Sequence, residues 1–135
     1  MPVIDASVVV TVLAGSEHAA WAEAQLSAGD SHRSLWAPHL IDAEVGHSLR
    51  RRAAAGQLGA DEAATALMDL VRLPLRRIGH VDLLNRAWGL RDNMSFYDGL
   101  YVALAEALNT SLLTLDRRLA KAAESVASIE VLTIS

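Results

Sequence analysis

Residues 1–15 read MPVIDASVVVTVLAG, and the fold turns on how this stretch is read. Val3 and Ile4 are β-branched and an acid follows them, so Pro2 to Asp5 predicts a very short strand. The apolar run then resumes, and Ser7 to Ala14 predicts a helix halted by Gly15-Ser16. The same stretch could pass for a secretory leader, but nothing basic precedes it and Asp5 interrupts it, so export is not expected. No segment offers the roughly 18 uninterrupted apolar residues of a membrane span.

Outward from this unit the pattern repeats. A helix is predicted from Glu17 to about Ala28, ended by Gly29-Asp30-Ser31. Ser34 to Ala37 is a second strand closed by Pro38. A strong helix follows from His39 to about Ala55, with Leu40, Ile41, Val45 and Leu49 as its apolar stripe and Gly56 as its stop. Gly59-Ala60-Asp61 opens a helix that reaches about Arg72 before Pro74, and Leu75 to Ile78 is a third strand. Gly79 turns the chain into a helix over Val81 to Arg91. Ser95 begins another, Tyr97 to Leu108, with Leu100, Tyr101, Leu104 and Leu108 along one side and Asn109 as its stop. Leu112 to Leu115 is a fourth strand, Asp116 to about Ser125 the last helix, and Glu130 to Ile134 a fifth strand. Strands separated by helices indicate an α/β domain with a mostly parallel sheet, because parallel neighbours need crossover connections.

The chain has 135 residues, 52% of them hydrophobic, enough for one buried core, so a single domain over residues 1–135 is expected. It contains no cysteine. Disulfides and thiolate metal sites are therefore excluded, and any metal must be held by oxygen or imidazole. The net charge of −4 argues against binding nucleic acid through bulk electrostatics, although a local basic patch could still do so.

Acidic residues recur where such sheets place their sites, beyond the carboxyl ends of the strands. Asp5 and Asp116 each directly follow a strand. Each also has a plain structural explanation, since Asp between strand and helix is a favoured N-cap worth about 1 kcal/mol. Glu44 falls on or beside the stripe that faces the sheet, whereas Asp42 points to the other side, and an inward carboxylate is costly unless compensated. Its alternative is a flank glutamate whose stem packs while its head reaches water. Asp98 sits three residues after Ser95, a spacing that also suits a capping box. What distinguishes the four is their convergence at strand ends, helix ends or inward faces of one sheet. Two carboxylates about 4 Å apart repel by roughly 4 kcal/mol at an effective dielectric of 20, so either a proton or a cation is required. An all-oxygen cluster suits a hard cation, Mg²⁺ or Mn²⁺.

Four segments carry a family resemblance: VIDASVVV, HLIDAEVGHSLRRR, SFYDGLYVALAEAL and SLLTLDRRLAKA, in that order along nearly the whole chain. Together they resemble a PIN-domain ribonuclease, in particular a VapC-type toxin of a bacterial toxin–antitoxin operon. The resemblance implies a three-layer α/β/α sandwich around a five-stranded parallel sheet in order 3-2-1-4-5, with the site at the ends of the first and fourth strands. It implies that Asp5, Glu44, Asp98 and Asp116 are the catalytic, metal-holding acids, with Ser7, Ser95 and Thr114 supporting them. Arg117 and Arg118 stand where some relatives carry a further acid, so one well-held ion is expected. The implied reaction is endonucleolytic cleavage of RNA by a metal-activated water, with transfer RNA or a ribosomal RNA loop as target, in the cytoplasm. Arg50, Arg51, Arg52 and Arg117 are candidate RNA contacts, although cations also favour a helix carboxyl end. The implied partner is an antitoxin protein, and a homodimer is expected. Trp21, Trp36 and the helix carrying Trp88 are candidate contacts, with at least two of the three indoles expected in the core.

Other readings fit less well. Glu44 and His47 have the Glu-x-x-His spacing of di-iron bundles, but that architecture needs the motif twice. A haloacid-dehalogenase-like phosphatase needs a second Asp where Ser7 stands, and a receiver domain needs a Lys after the fifth strand. A catalytically silent module of the same fold would be marked by loss of one or more acids, and all four are present.

Overall fold

A computed structural model describes residues 2–15, 17–27 and 34–134. Among these residues five strands form one parallel sheet: β1 (Val3–Ile4), β2 (Leu35–Pro38), β3 (Leu75–Ile78), β4 (Leu112–Leu113) and β5 (Val131–Leu132), in order β3-β2-β1-β4-β5. The register pairs Val3 with Trp36 on one side and with Leu112 on the other. Val3, Ile4, Leu112 and Leu113 are at most 1% exposed, as expected of parallel strands covered on both faces. Each such side chain contributes about 1.5–3 kcal/mol by leaving water.

Among the described residues seven α-helices supply that cover: α1 (Ala6–Ala14), α2 (Ala19–Ser27), α3 (Leu40–Ala54), α4 (Ala60–Arg72), α5 (Leu84–Gly89), α6 (Phe96–Ala107) and α7 (Arg117–Val126). In α1 four successive residues, Val8 to Thr11, are buried, so the helix is enclosed on more than one face. It packs among α2, α3 and α4, while α6 lies against β1 and β2 with α5 beside it. Gly99 makes that second pairing possible: a Cβ there would stand 3.2 Å from the Ala87 carbonyl oxygen.

The expected architecture and strand order are those observed. Gly15 and Gly56 take left-handed φ of 66° and 74° where α1 and α3 end, and Asn109 does so at 49° after α6. The end expected for the second helix at Gly29-Asp30-Ser31 lies outside the described residues. The helix expected over Val81 to Arg91 begins instead as a 3₁₀ turn, Val81–Leu83, with α5 starting only at Leu84. His80 provides no side-chain cap, and the Leu83 amide bonds three residues back to the His80 carbonyl. β4 and β5 are each two residues long, shorter than expected; the Thr114 amide still bonds to the Leu132 carbonyl oxygen at 3.0 Å, and beyond it the chain builds the turn into α7. No helix among the described residues is long and apolar enough to cross a membrane.

Candidate metal centre and its supporting hydroxyls

Asp5 ends β1 and caps α1. Its Oδ1 accepts from the Val8 amide at 3.3 Å and from Ser7 Oγ at 2.5 Å, while Oδ2 accepts from Thr114 Oγ1 at 2.5 Å. The two hydroxyls each face two ways. Ser7 Oγ accepts from the Leu115 amide at 2.9 Å, and Thr114 Oγ1 accepts from the Asp116 amide at 3.0 Å. Both therefore give their proton to Asp5 and hold the backbone of the β4–α7 turn, tying the ends of the two central strands together. Thr114 is fully buried and Asp5 is 5% exposed. Burial is the largest influence on Asp5 and pushes its carboxyl up to about 6 from 3.8; the three hydrogen bonds oppose it, and the charge on Asp98 adds to it.

Asp116 starts from the same local design and ends in a different environment. It caps α7 through Oδ1, which accepts from the Arg118 and Leu119 amides at 3.0 and 3.2 Å, and it is exposed. Asp98 lies in the first turn of α6, where Ser95 is the N-cap and its Oγ accepts from the Asp98 amide at 3.0 Å. Burial raises the Asp98 carboxyl, the neighbouring Asp116 charge raises it further, and Ser95 and Arg118 pull it down.

Glu44 projects from α3 one turn after Ile41 and beside Val45, both fully buried, and is itself half-buried. Its carboxyl is raised, first by burial and then by Asp98, against a hydrogen bond from Tyr101. Tyr101 Oη donates to Glu44 Oε1 at 2.6 Å. Tyr101 is 1% exposed, and its phenol is pushed well above the ordinary value by burial and by the charges of Glu44, Asp5 and Asp98. In the sequence this residue reads only as one of an apolar line. The available signal is its position three residues after Asp98, on the same side of α6.

The Asp98 charge thus raises the Asp5 and Glu44 carboxyls, and the Asp116 charge raises that of Asp98. Among the described residues, however, no three His, Asp or Glu side chains stand close enough together to hold one ion as placed. The two observations are compatible, because charges act over longer distances than ligation does. The donor chemistry fits a hard divalent cation: the oxygens come from four elements, and the Asp5, Glu44 and Asp98 carboxyls resist ionising together.

From Ser7 and Glu44 a groove of about 640 Å³ runs between α1 and α3. Apolar residues such as Val10 and Leu40 line it, and His47, Arg51, Arg52 and Tyr97 border it as well. Arg50 is exposed on α3 but is not part of this lining, and Arg117 is exposed at the start of α7. Asp42, expected to face away from Glu44, pairs with Arg77 Nε at 2.8 Å. Trp21 and Trp36 are partly buried against the core, and Trp88 is 59% exposed with the Arg91 guanidinium 4.7 Å from its ring.

The PIN domain family model matches residues 3–125, and the chain belongs to that family. Within it the similarity is to VapC proteins. The chain is 46% identical over 122 residues to Ribonuclease VapC1 of Mycobacterium tuberculosis, covering 89% of each chain. It is 40% identical over 131 residues to Ribonuclease VapC9 of the same organism, covering 97% of this chain and 98% of the relative. Among solved structures, Mycobacterium tuberculosis VapC20, described as a sarcin-ricin loop cleaving toxin, superposes with a TM-score of 0.71 at 18% identity, covering 90% of this chain and 95% of that one. VapBC2 from Rickettsia felis, solved bound to a DNA fragment from its promoter, gives 0.66 at 14% identity, with 97% and 96% covered.

Proposed function

We propose that this protein is an endoribonuclease, the toxin of a toxin–antitoxin pair, acting as one domain in the cytoplasm with Mg²⁺ or Mn²⁺. Asp5, Glu44, Asp98 and Asp116 would hold a single ion. The observation that carries this reading is the set of carboxyls at the end of β1, on α3 and on α6 that burial raises, with the Asp98 charge adding to the rise at Asp5 and Glu44 and the Asp116 charge adding to the rise at Asp98. Perturbed groups of this kind cluster at functional sites. A bound divalent ion supplies Lewis acidity toward a phosphoryl oxygen and eases deprotonation of water.

The chain's own residues do the rest. Ser7 and Thr114 fix the orientation of Asp5 and link it to the turn bearing Asp116. Ser95 holds the first turn of α6 so that Asp98 stays beside its fellow acids. Arg51 and Arg52, two turns along α3 from Glu44, border the groove and would meet phosphates of an RNA strand, with Arg50 and Arg117 as outlying contacts. Removing one arginine that neutralises a phosphate of a single strand flattens the salt dependence of binding by about 0.7 in log–log slope. Transfer RNA and a ribosomal RNA loop are the substrates to test, the second because VapC20 is named for cleaving one. An antitoxin protein is the expected partner, as in the solved VapBC2 complex, and a homodimer is the expected assembly.

The test is inducible expression of the wild type beside Glu44→Gln, with mapping of new RNA 5′ ends. New ends in the wild type alone support the assignment, and the same ends in both strains remove the role given to Glu44. A catalytically silent module predicts no heat of binding at millimolar Mg²⁺, so a clear isotherm excludes it.

A further inference from the structure

We propose that Tyr101 is a positioning residue: its buried hydroxyl on α6 restrains the Glu44 carboxylate of α3 at the candidate metal centre and keeps it from turning out to water. The inference rests on the reading above, in which Glu44 belongs to that centre.

A glutamate reaches its carboxylate through several rotatable bonds, and Glu44 lines an open groove. Left to itself, it would sample rotamers that carry the charge out to water, since its burial is partial and burial disfavours its charge. The Tyr101 bond opposes this. It spans 57 residues of sequence at 2.6 Å, it ends on Oε1, and its donor comes from a side chain only 1% exposed. Tyr101 has little freedom of its own, because its neighbours Leu100, Val102 and Leu104 are at most 2% exposed and α6 rests on β1 and β2. A rigid donor therefore fixes a flexible acceptor. With Oε1 tied back, the second oxygen keeps one direction relative to Asp98, which lies one turn before Tyr101 on the same helix. The same hydroxyl closes an accounting question, since a buried phenol oxygen without a partner is costly and this one has Glu44.

An alternative is that Tyr101 only fills space in the core. Phenylalanine separates the two roles, because it keeps the ring and removes the hydroxyl. The experiment compares wild type and Tyr101→Phe in the full chain through three readouts. These are side-chain ¹³C relaxation of Glu44 in metal-free protein, Mn²⁺ affinity by calorimetry, and the KM and kcat of RNA cleavage. Positioning predicts that Glu44 becomes mobile and that Mn²⁺ affinity falls roughly 10- to 100-fold, the usual effect of removing a partner of a metal ligand. It also predicts that kcat falls while KM for RNA is unchanged. Glu44 as ordered in Tyr101→Phe as in wild type overturns the proposal, and so does unchanged Mn²⁺ affinity. If Tyr101→Phe does not fold, Glu44→Asp addresses the same contact from the other side: its shorter stem keeps a carboxylate but withdraws it from Tyr101. The proposal then requires that residue 44 be mobile and Mn²⁺ binding weakened by a similar factor, and fails otherwise. Wild-type protein that neither cleaves RNA nor binds Mn²⁺ would remove the nuclease reading itself, while the relaxation comparison still decides whether Tyr101 orders Glu44.

Discussion

The β1–α1 and β4–α7 junctions share a two-residue strand and an aspartate that caps the next helix, Asp5 directly after β1 but Asp116 separated from β4 by two residues rather than directly after it as expected, and they give their aspartates opposite surroundings. Asp5 is 5% exposed and takes its bonds from two hydroxyls and an amide. Asp116 is exposed and takes two amides alone. The same cap thus stabilises one helix at little cost and loads the other with a charge that the protein holds out of water. A carboxyl pushed up to about 6 marks stability given up locally, and functional sites are where such concessions gather.

The two junctions should differ most in the response to Asp5→Asn. This change keeps the shape and the cap but not the charge, and it should lower RNA cleavage by more than about a thousandfold, consistent with loss of charge stabilisation in phosphoryl chemistry. A variant that cuts as well as wild type would make the buried aspartate a structural cap only.

The next largest effect concerns pH. Because the folded carboxyl of Asp5 is raised from 3.8 to about 6, the native state holds its proton more tightly than the unfolded chain does. Stability from this group is therefore present below about pH 4 and is lost as pH rises through 6. The loss is roughly 3 kcal/mol at about 1.4 kcal/mol per pH unit. Urea unfolding in chelator should show wild type losing stability relative to Asp5→Asn over that window, so that the variant is the more stable protein at pH 7. The raised carboxyls of Glu44 and Asp98 act in the same direction and remain in the variant. A difference between the two proteins that does not change with pH would contradict the burial argument.

Thr114→Val tests the link between the junctions. It preserves volume but removes the hydroxyl that Asp5 and the Asp116 amide share, and it should cost about 2 kcal/mol of unfolding free energy. The smallest effect is expected at the exposed junction, where Asp116→Ala should cost about 1 kcal/mol, the usual value of a cap. A cost well above that would mean that Asp116 is held as tightly as Asp5.

Much of the fold was legible because its signals are local. β3 occupies Leu75–Ile78 as read, and α3, α4 and α6 lie within a residue or two of their expected bounds. Proline, glycine and asparagine stops and a single apolar stripe settle such limits. The 3₁₀ start before α5 was not legible, since it reflects a missing cap at His80 rather than any residue that breaks helices. At the candidate site, Asp5, Glu44, Asp98 and Asp116 could be picked out by position, whereas Ser7, Ser95 and Thr114 were named only through the family resemblance. Tyr101 reads as one of an apolar line, and its place three residues after Asp98, the one local signal, does not show that its hydroxyl meets an acid on another helix.

Amino-acid order alone set the alternation of strand and helix and the placing of acids at strand and helix ends. Those properties depend on backbone preference and on neighbours within one or two turns. Which aspartate is sealed, which stays in water and what each hydroxyl bonds were decided only when the chain folded. Those outcomes rest on contacts between residues 57 to 109 positions apart, which exist only after the helices have closed over the sheet.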